Sequence, residues 1–323
     1  MTATFPPILP PPPLRLVFMG TPSLAATVLA ALLEGPDPVV GVFTRPDAAS
    51  GRGLQTSSPP VAELARRHSI SVHQPRGWKS GEAAAALRSL APDLVVVAAY
   101  GRLLPQAALD APRFGCINVH ASLLPRWRGA DPISRAILEG DAETGVTIMQ
   151  MVLEMDAGAI LHQRRIPIRN DDTGASLEAR LAELGGAALV EAMDEWRAGR
   201  IAPSAQSAAE VTFAPPLRKG DGRVDWTAPA DRIERSVRAL QPWPGVTAER
   251  SGQPLRLWAT ELAHPPAGSA APGTVVAIER SGPVIQTGRG GLRLLEVQAA
   301  GKRRMNGADW ARGARLEIGD RLP

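Results

Sequence analysis

Apolar segments and helical segments alternate along the first 140 residues of the chain. Runs of Val, Leu, Ile and Phe predict strands at residues 14–19, 39–44, 70–73, 93–99 and 116–120. Between them, the Ala and Leu content predicts helices at residues 23–34, 61–68, 81–90 and 106–110. Strands that alternate with helices form βαβ units around a mostly parallel sheet. The first part of the chain is therefore predicted to be an α/β domain.

The pattern changes after residue 200. A helix at 131–138, a strand at 144–152 and a long helical stretch at 173–199 complete the first domain, and residues 201–210 are small, polar and Pro-containing. Such a segment is typical of a linker. Short segments at 255–260, 273–278, 283–287 and 292–298, separated by Gly and Pro, indicate a small antiparallel β domain or barrel. We expect a disordered Pro-rich lead-in at 1–13, an α/β domain at 14–200, a linker at 201–212 and a β-barrel domain at 213–323.

The carboxyl ends of the predicted parallel strands are the place to look for a site, because open α/β sheets bind their ligands there. The residues that follow the strands at 14–19, 93–99 and 116–120 are therefore candidates. Gly20 stands alone in the first strand–helix turn, and no G-x-G-x-x-G motif follows that strand. A nicotinamide dinucleotide site is poorly supported.

Charge is distributed unevenly between the two halves. Residues 1–212 carry 19 basic and 21 acidic residues, whereas residues 213–323 carry 17 basic and 11 acidic ones. The densest basic cluster is Lys302, Arg303 and Arg304. A positive surface suits a phosphate-rich partner. An ordinary solvated basic surface explains the charge equally well.

Cysteine content and targeting signals bear on the expected cofactor and cellular location. Cys116 is the single cysteine, so the chain forms no internal disulfide and offers no cysteine cluster for a metal. We expect no metal cofactor, a reducing compartment and a cytoplasmic location. Neither a signal peptide nor an apolar stretch long enough to cross a membrane is visible, so we expect no membrane association.

Asn118 and His120 are the strongest chemical candidates. They are one residue apart on a predicted strand, so their side chains point to the same face. An amide and an imidazole can both donate to an oxyanion that develops during acyl transfer. Asp156 lies in a turn after a later strand, and its carboxylate can orient the imidazole or accept a proton through water. Each residue alone is also explained by ordinary backbone hydrogen bonding or turn formation.

A longer pattern around these residues resembles the folate-dependent formyltransferase family. The family pattern is Asn-x-His-x-Ser-Leu-Leu-Pro, then a Gly and a downstream acid. It is matched by Asn118, His120, Ser122, Leu123, Leu124, Pro125, Gly129 and Asp156. The resemblance covers residues 14–322 and includes segments typical of the branch that acts on methionyl-tRNA, such as 16–22, 42–47, 221–226, 242–245 and 301–305.

The resemblance implies a Rossmann-like formyltransferase domain followed by an OB-like barrel. It implies transfer of a formyl group from 10-formyltetrahydrofolate to the methionine amine of initiator methionyl-tRNA, with a role in translation initiation. Asn118, His120 and Asp156 would be catalytic. Ser122, Leu123, Leu124 and Pro125 would line the folate site. Arg52, Lys302, Arg303 and Arg304 would contact tRNA.

Two departures from the family pattern change these expectations. The loop after Gly53 continues with Leu54, Gln55 and Thr56 where the family usually has lysines, so Arg52 is the one basic residue left there. Asp131 places an acid where the family usually has Ala. We therefore expect more of the tRNA affinity to come from the C-terminal domain.

Rival functions share much of this pattern. Glycinamide ribonucleotide formyltransferases resemble the first domain but lack the second, while amino-sugar formyltransferases and formyl-folate hydrolases share more of the chain. A non-catalytic RNA-binding protein on the same fold is disfavoured by the intact Asn118–His120–Asp156 set. The basic C-terminal third favours tRNA over a sugar nucleotide.

Overall fold

The structure of the chain, a computed structural model, describes residues 8–50, 55–265 and 270–323. These residues form two compact units. The first unit includes the chain up to residue 132 together with residues 143–167 and 178–214. The second includes residues 133–142, 168–177 and 215–323. Two short segments of the first half thus belong to the second unit.

A seven-stranded sheet forms the centre of the first unit. Its strands are β1 (Leu16–Gly20), β2 (Val39–Phe43), β5 (Val72–His73), β6 (Leu94–Ala98), β7 (Cys116–His120), β9 (Glu143–Gln150) and β10 (Ile160–Pro167). They lie in the order β10-β9-β7-β6-β1-β2-β5, in which the five strands from β5 to β7 are parallel and β9 and β10 add an antiparallel edge. The expected mostly parallel α/β architecture is confirmed.

Smaller strands and five helices complete this part of the chain. The two small pairs are β3 (Ala48–Ser50) with β4 (Gln55–Ser57), and β8 (Arg128–Gly129) with β11 (Phe213–Ala214). The helices are α1 (Ser23–Leu33), α2 (Pro60–Arg67), α3 (Glu82–Ser89), α4 (Gln106–Leu109) and α6 (Gly174–Arg197). Helix α6 approaches α1 so closely that a Cβ on Gly186 would lie 2.8 Å from the Ala31 Cβ. The helix therefore needs glycine at this position.

The second unit is an antiparallel sheet with helices packed against it. Its elements are α5 (Pro132–Glu139), α7 (Ala230–Ala239), β12 (Val246–Arg250), β13 (Gln253–Ala263), β14 (Val275–Glu279), β15 (Gly282–Gln286), β16 (Gly291–Ala299), β17 (Met305–Asn306) and α8 (Gly307–Gly313). The strand order is β12-β13-β16-β15-β14, and β17 pairs with β16. The core includes Trp226, Ile233, Leu257, Val297 and Trp310. The predicted antiparallel C-terminal domain is confirmed.

Helix α7 shows why this core forms. Ile233 and Val237 are four residues apart on the helix, so they share one face, and both are buried in the core. The intervening positions carry Arg and Glu that pair along the surface, such as Arg238 with Glu234. This helix was not among the predicted elements of the C-terminal domain.

Candidate active site

Three neighbouring parallel strands place their carboxyl ends at one edge of the sheet. Strand β6 lies between β1 and β7, with Val95 in register with Val17 on one side and with Cys116 on the other. The turns that follow these strands are the ones in which the sequence predicted a site. The candidate side chains lie at the end of β7 and in the turn after its antiparallel neighbour β9.

Asn118 and His120 lie within the last three residues of strand β7. Alternation along the strand puts them on one face, as predicted. His120 is buried, with 5% of its surface exposed, whereas Asn118 is half-buried. The Asn118 side chain makes no hydrogen bond to any residue that the structure describes. Its amide is therefore available to a ligand.

Asp156 reaches this face from the turn between β9 and β10. Its backbone adopts a left-handed conformation with φ of +52°, which Asp tolerates better than most residues. One carboxylate oxygen, Oδ2, accepts a hydrogen bond from the Gly129 backbone N–H at 2.9 Å. The same oxygen lies 3.8 Å from Nδ1 of His120, and 15% of the Asp156 side chain is exposed. The three predicted catalytic residues thus converge, with a carboxylate facing an imidazole.

The other imidazole nitrogen has a different partner. Nε2 of His120 lies 2.8 Å from the backbone carbonyl oxygen of Trp127. A carbonyl oxygen only accepts, so Nε2 is the donor in this hydrogen bond. The ring is held at one nitrogen by the backbone and faces a carboxylate with the other.

Gly129, whose N–H donates to Asp156, packs tightly against the neighbouring backbone. Strands β8 and β11 are parallel, and Gly129 pairs with Ala214. A Cβ on Gly129, whose φ is +122°, would lie 2.5 Å from the Ala214 carbonyl oxygen. Only glycine fits this position, so the family motif's glycine has a steric reason here.

The predicted linker contributes to the site rather than standing clear of it. Gln206 donates from its side chain to the backbone carbonyls of Asp156 at 2.7 Å and of Gly158 at 2.8 Å. It also accepts from Nε of Arg128 at 2.9 Å, and Arg128 in turn donates to Glu154 at 3.0 Å. Residues Gln206 and Arg128 therefore brace the turn that presents Asp156. Sequence reasoning missed both, because a Gln in a small polar segment carries no distinctive pattern.

Buried and half-buried residues alternate along the predicted folate segment. Ser122 and Leu124 are buried, while Leu123 and Pro125 are half-buried. The Ser122 hydroxyl donates to the backbone carbonyl of Arg126 at 2.7 Å. It is therefore engaged inside the protein. The role of the segment in folate binding stays a prediction.

Cys116 is a core residue with no role at the site. Burial, assisted by the nearby Asp110, raises the pKa of its thiol to about 12. The sulfur faces the carbonyls of Ala108 and Leu109 at 3.7 and 3.9 Å. A thiol that stays protonated is not a nucleophile at neutral pH.

The predicted basic cluster lies at the start of β17 in the second unit. All three side chains, Lys302, Arg303 and Arg304, are exposed. Arg304 forms an ion pair with Glu296 and lies over the Trp258 ring at 4.8 Å from its centroid. The other two cations form no ion pair with any residue that the structure describes. Arg52 falls outside the described residues.

No group of three or more His, Cys, Asp or Glu side chains is arranged to share a metal ion within residues 8–50, 55–265 and 270–323. No helix in the described part of the chain is both long and apolar enough to cross a membrane.

Comparisons with known proteins identify the family of the chain. Residues 14–193 match the family described as "Formyl transferase", and residues 216–315 match "Formyl transferase, C-terminal domain". The chain is 47% identical to "Methionyl-tRNA formyltransferase" of Magnetococcus marinus over 308 residues, which are 95% of this chain and 98% of that one. The protein of the same name from Acidithiobacillus ferrooxidans is 49% identical, with the same coverage.

A solved structure shares the fold. HypX from Aquifex aeolicus in complex with tetrahydrofolic acid superposes with a TM-score of 0.62 and is 21% identical. The match covers 95% of this chain and 48% of that one. With both family domains matched along the chain and relatives this similar along nearly their whole length, the protein belongs to the formyl transferase family.

Proposed function

We propose that the protein transfers the formyl group of 10-formyltetrahydrofolate to the α-amino group of methionine on initiator methionyl-tRNA, and so acts in translation initiation. The observation that carries the proposal is the convergence of Asn118, His120 and Asp156 at the end of β7. The names of relatives that are 47% and 49% identical supply the acceptor.

Asn118 supplies the first element of the chemistry. When the methionine amine attacks the formyl carbon, a new C–N bond forms and negative charge develops on the formyl oxygen. The Asn118 amide is half-buried and has no hydrogen bond to a described residue, so it can donate to that oxygen without breaking an internal contact. Preorganised donors of this kind lower the barrier of acyl transfer.

His120 and Asp156 supply the second element. A protonated imidazole donates to the developing oxyanion, and the Asp156 carboxylate 3.8 Å from Nδ1 stabilises the positive ring. The amine loses a proton as the bond to the folate nitrogen breaks, and that nitrogen gains one. Asp156 is partly exposed, so it can relay this proton through water. No covalent enzyme intermediate is required.

The donor site is proposed next to this set. Leu123 and Pro125 present half-buried apolar surface three and five residues beyond His120, the last residue of β7. Apolar surface beside a few convergent polar groups is typical of a small-molecule site. The fold is shared with HypX, whose structure is described in complex with tetrahydrofolic acid. These features support a folate donor.

The tRNA surface is proposed to centre on the turn between β16 and β17. Arg256 and Arg304 lie over the Trp258 ring, at 4.1 and 4.8 Å from its centroid, and the indole N–H donates to Gln298 at 3.1 Å. Arg304 is further neutralised by Glu296. We refer to this arrangement of Arg256, Trp258, Arg304 and Glu296 as the tryptophan clamp.

The clamp assigns different roles to the three cations of the turn. Because Arg304 is committed to Trp258 and Glu296, it holds the turn in place. Lys302 and Arg303 are exposed and lack ion-pair partners among the described residues. They are therefore the better candidates for contacts with phosphates. Arg52 remains a proposed second contact.

An acceptor panel tests the proposed function. Purified protein receives ¹⁴C-labelled 10-formyltetrahydrofolate with charged initiator tRNA, charged elongator tRNA, free methionine, glycinamide ribonucleotide or a nucleotide-linked amino sugar. We expect label in formyl-methionyl-tRNA alone. Release of labelled formate without any acceptor, or transfer to an amino sugar in preference to tRNA, would contradict the proposal. A catalytically inert His120→Ala protein serves as the background control.

A further inference from the structure

The two nitrogens of the His120 ring are in unlike surroundings. Nε2 is 2.8 Å from the Trp127 carbonyl oxygen, and Nδ1 is 3.8 Å from the Asp156 carboxylate. The carbonyl can only accept, so it requires a proton on Nε2 in both the neutral and the charged ring. That nitrogen cannot also donate well to a substrate. Nδ1 is the nitrogen left to face the reaction.

The carbonyl that fixes this ring belongs to a turn held by Ser122. The Ser122 hydroxyl donates to the neighbouring carbonyl, that of Arg126, at 2.7 Å. It also lies 3.4 Å from both the backbone N and the carbonyl oxygen of Trp127. The Ser122 backbone N–H donates to the His120 carbonyl at 2.9 Å, which ties the turn to the end of β7.

Burial shows that this hydroxyl serves the protein rather than a ligand. None of the Ser122 surface is exposed. Its donor is used by Arg126, and its acceptor side faces the Trp127 N–H. A hydroxyl with both roles filled inside the fold has nothing to offer a bound molecule.

The opposite side of the same segment has a separate anchor. Thr147 is in register with His120 on the adjacent strand β9, and its hydroxyl donates to the Ser122 carbonyl at 2.7 Å. The Thr147 oxygen accepts from the Leu124 N–H at 3.0 Å. Thr147 therefore holds residues 122–124, whereas the Ser122 hydroxyl holds residues 126–127.

We propose that Ser122 is a positioning residue. Through the Trp127 carbonyl it keeps a proton on Nε2 of His120 and so leaves Nδ1 facing the reaction, where it donates to the developing oxyanion from the doubly protonated ring. This inference rests on the proposed formyl transfer. It differs from the folate-lining role that the family resemblance implies for Ser122, because it predicts an effect on turnover and none on donor binding.

The direct readout is the His120 ring proton. In ¹⁵N-labelled protein, long-range ¹H–¹⁵N correlation identifies which ring nitrogen carries the proton. We expect the wild-type ring to show a protonated Nε2 whose proton exchanges slowly with water, since it is buried and hydrogen-bonded. In Ser122→Ala that proton should exchange faster or broaden away. These spectra require no turnover, so they separate failure of this inference from failure of the proposed function.

Kinetics supply the second readout. Losing one positioning hydrogen bond should lower kcat about 3- to 10-fold while KM for formyl-folate changes little. Thr147→Val is the matched control, because it removes buried hydrogen bonds from the same segment on the side away from Trp127. It should lower the melting temperature about as much and keep the protected Nε2 proton. Ser122→Cys keeps a weak hydrogen-bond donor in a side chain of nearly the same volume. Its kcat and the exchange rate of its Nε2 proton should therefore lie between those of Ser122→Ala and the wild type. This variant replaces Ser122→Ala in the experiment if Ser122→Ala does not fold.

Three results would overturn the inference. The first is a wild-type ring protonated on Nδ1 alone, without a proton on Nε2, or an Nε2 proton in fast exchange. The second is a folded Ser122→Ala or Ser122→Cys protein whose ring proton stays as protected as in the wild type. The third is a raised KM for formyl-folate with unchanged kcat, which would place Ser122 in the folate site instead.

Discussion

Replacing Asp156 with Asn isolates the effect of its charge. Asn is nearly isosteric, and its side-chain oxygen can still accept the Gly129 N–H bond that is 2.9 Å long in the wild type. The turn between β9 and β10 should therefore keep its shape, because Gln206 also braces it through two backbone carbonyls. What is lost is the negative charge 3.8 Å from Nδ1 of His120.

The size of the effect follows from that distance. Two unit charges about 4 Å apart interact by about 4 kcal/mol at an effective dielectric constant of about 20. Since about 1.4 kcal/mol corresponds to a factor of ten in rate, complete loss of the interaction sets an upper limit of about 10³-fold. Asp156 is 15% exposed, so water screens part of the charge. We expect single-turnover formyl transfer to slow by about 10²- to 10³-fold.

The assay is single-turnover transfer of labelled formyl groups at saturating tRNA and donor. Asp194→Asn is the matched control, because Asp194 is an exposed aspartate on α6 that pairs with Arg197 at the surface. That control should react at the wild-type rate. Circular dichroism and a melting curve establish that Asp156→Asn is folded. A folded Asp156→Asn protein that loses less than about fivefold in rate would refute the electrostatic role.

Burial raises the pKa of the Cys116 thiol to about 12, whereas the unfolded thiol ionises from about pH 8.5. The free energy of unfolding should therefore fall as the pH rises between these two values. Urea titrations should show a shallower fall for Cys116→Ala, and this variant should turn over at the wild-type rate. Arg303→Ala should reduce the slope of log tRNA affinity against log salt concentration by about 0.9 and raise KM for tRNA. Arg304→Ala should change that slope less, because Arg304 is paired with Glu296 and lies over the Trp258 ring. Equal slopes for the wild type and Lys302→Ala/Arg303→Ala would mean that the turn only faces solvent. Formyl transfer to prefolded tRNA should survive EDTA, and loss of the step with recovery on adding zinc would contradict a metal-free reaction.

Much of the first unit could be predicted from local sequence alone. Strands β1 and β6 are fully buried and, apart from Gly20, consist of apolar side chains, and such runs are distinctive in a parallel sheet. Period-two geometry was enough to place Asn118 and His120 on one face. Asp156 could not be joined to them from the sequence pattern without the family resemblance, because the turn that delivers it follows a separate strand.

The missed features have physical reasons. Strand β10 is an edge strand with exposed Arg164 and Arg165, so it lacks the apolar run that identified its neighbours. Helix α7 carried a usable signal in the spacing of Ile233 and Val237, but the surrounding Gly and Pro residues favoured a wholly β interpretation. Gln206 and Arg128 act through hydrogen bonds to residues far away in the chain, and local pattern does not encode such contacts.

The most direct test of the account removes the Asn118 amide. Single-turnover transfer from labelled 10-formyltetrahydrofolate to initiator methionyl-tRNA is measured for the wild type and Asn118→Ala, with circular dichroism to confirm folding. Because the amide has no hydrogen bond to any described residue, its loss should leave stability nearly unchanged, and the transfer step should slow by about 10²-fold or more. A folded Asn118→Ala protein that transfers formyl groups at a near-normal rate would contradict oxyanion stabilisation at this site.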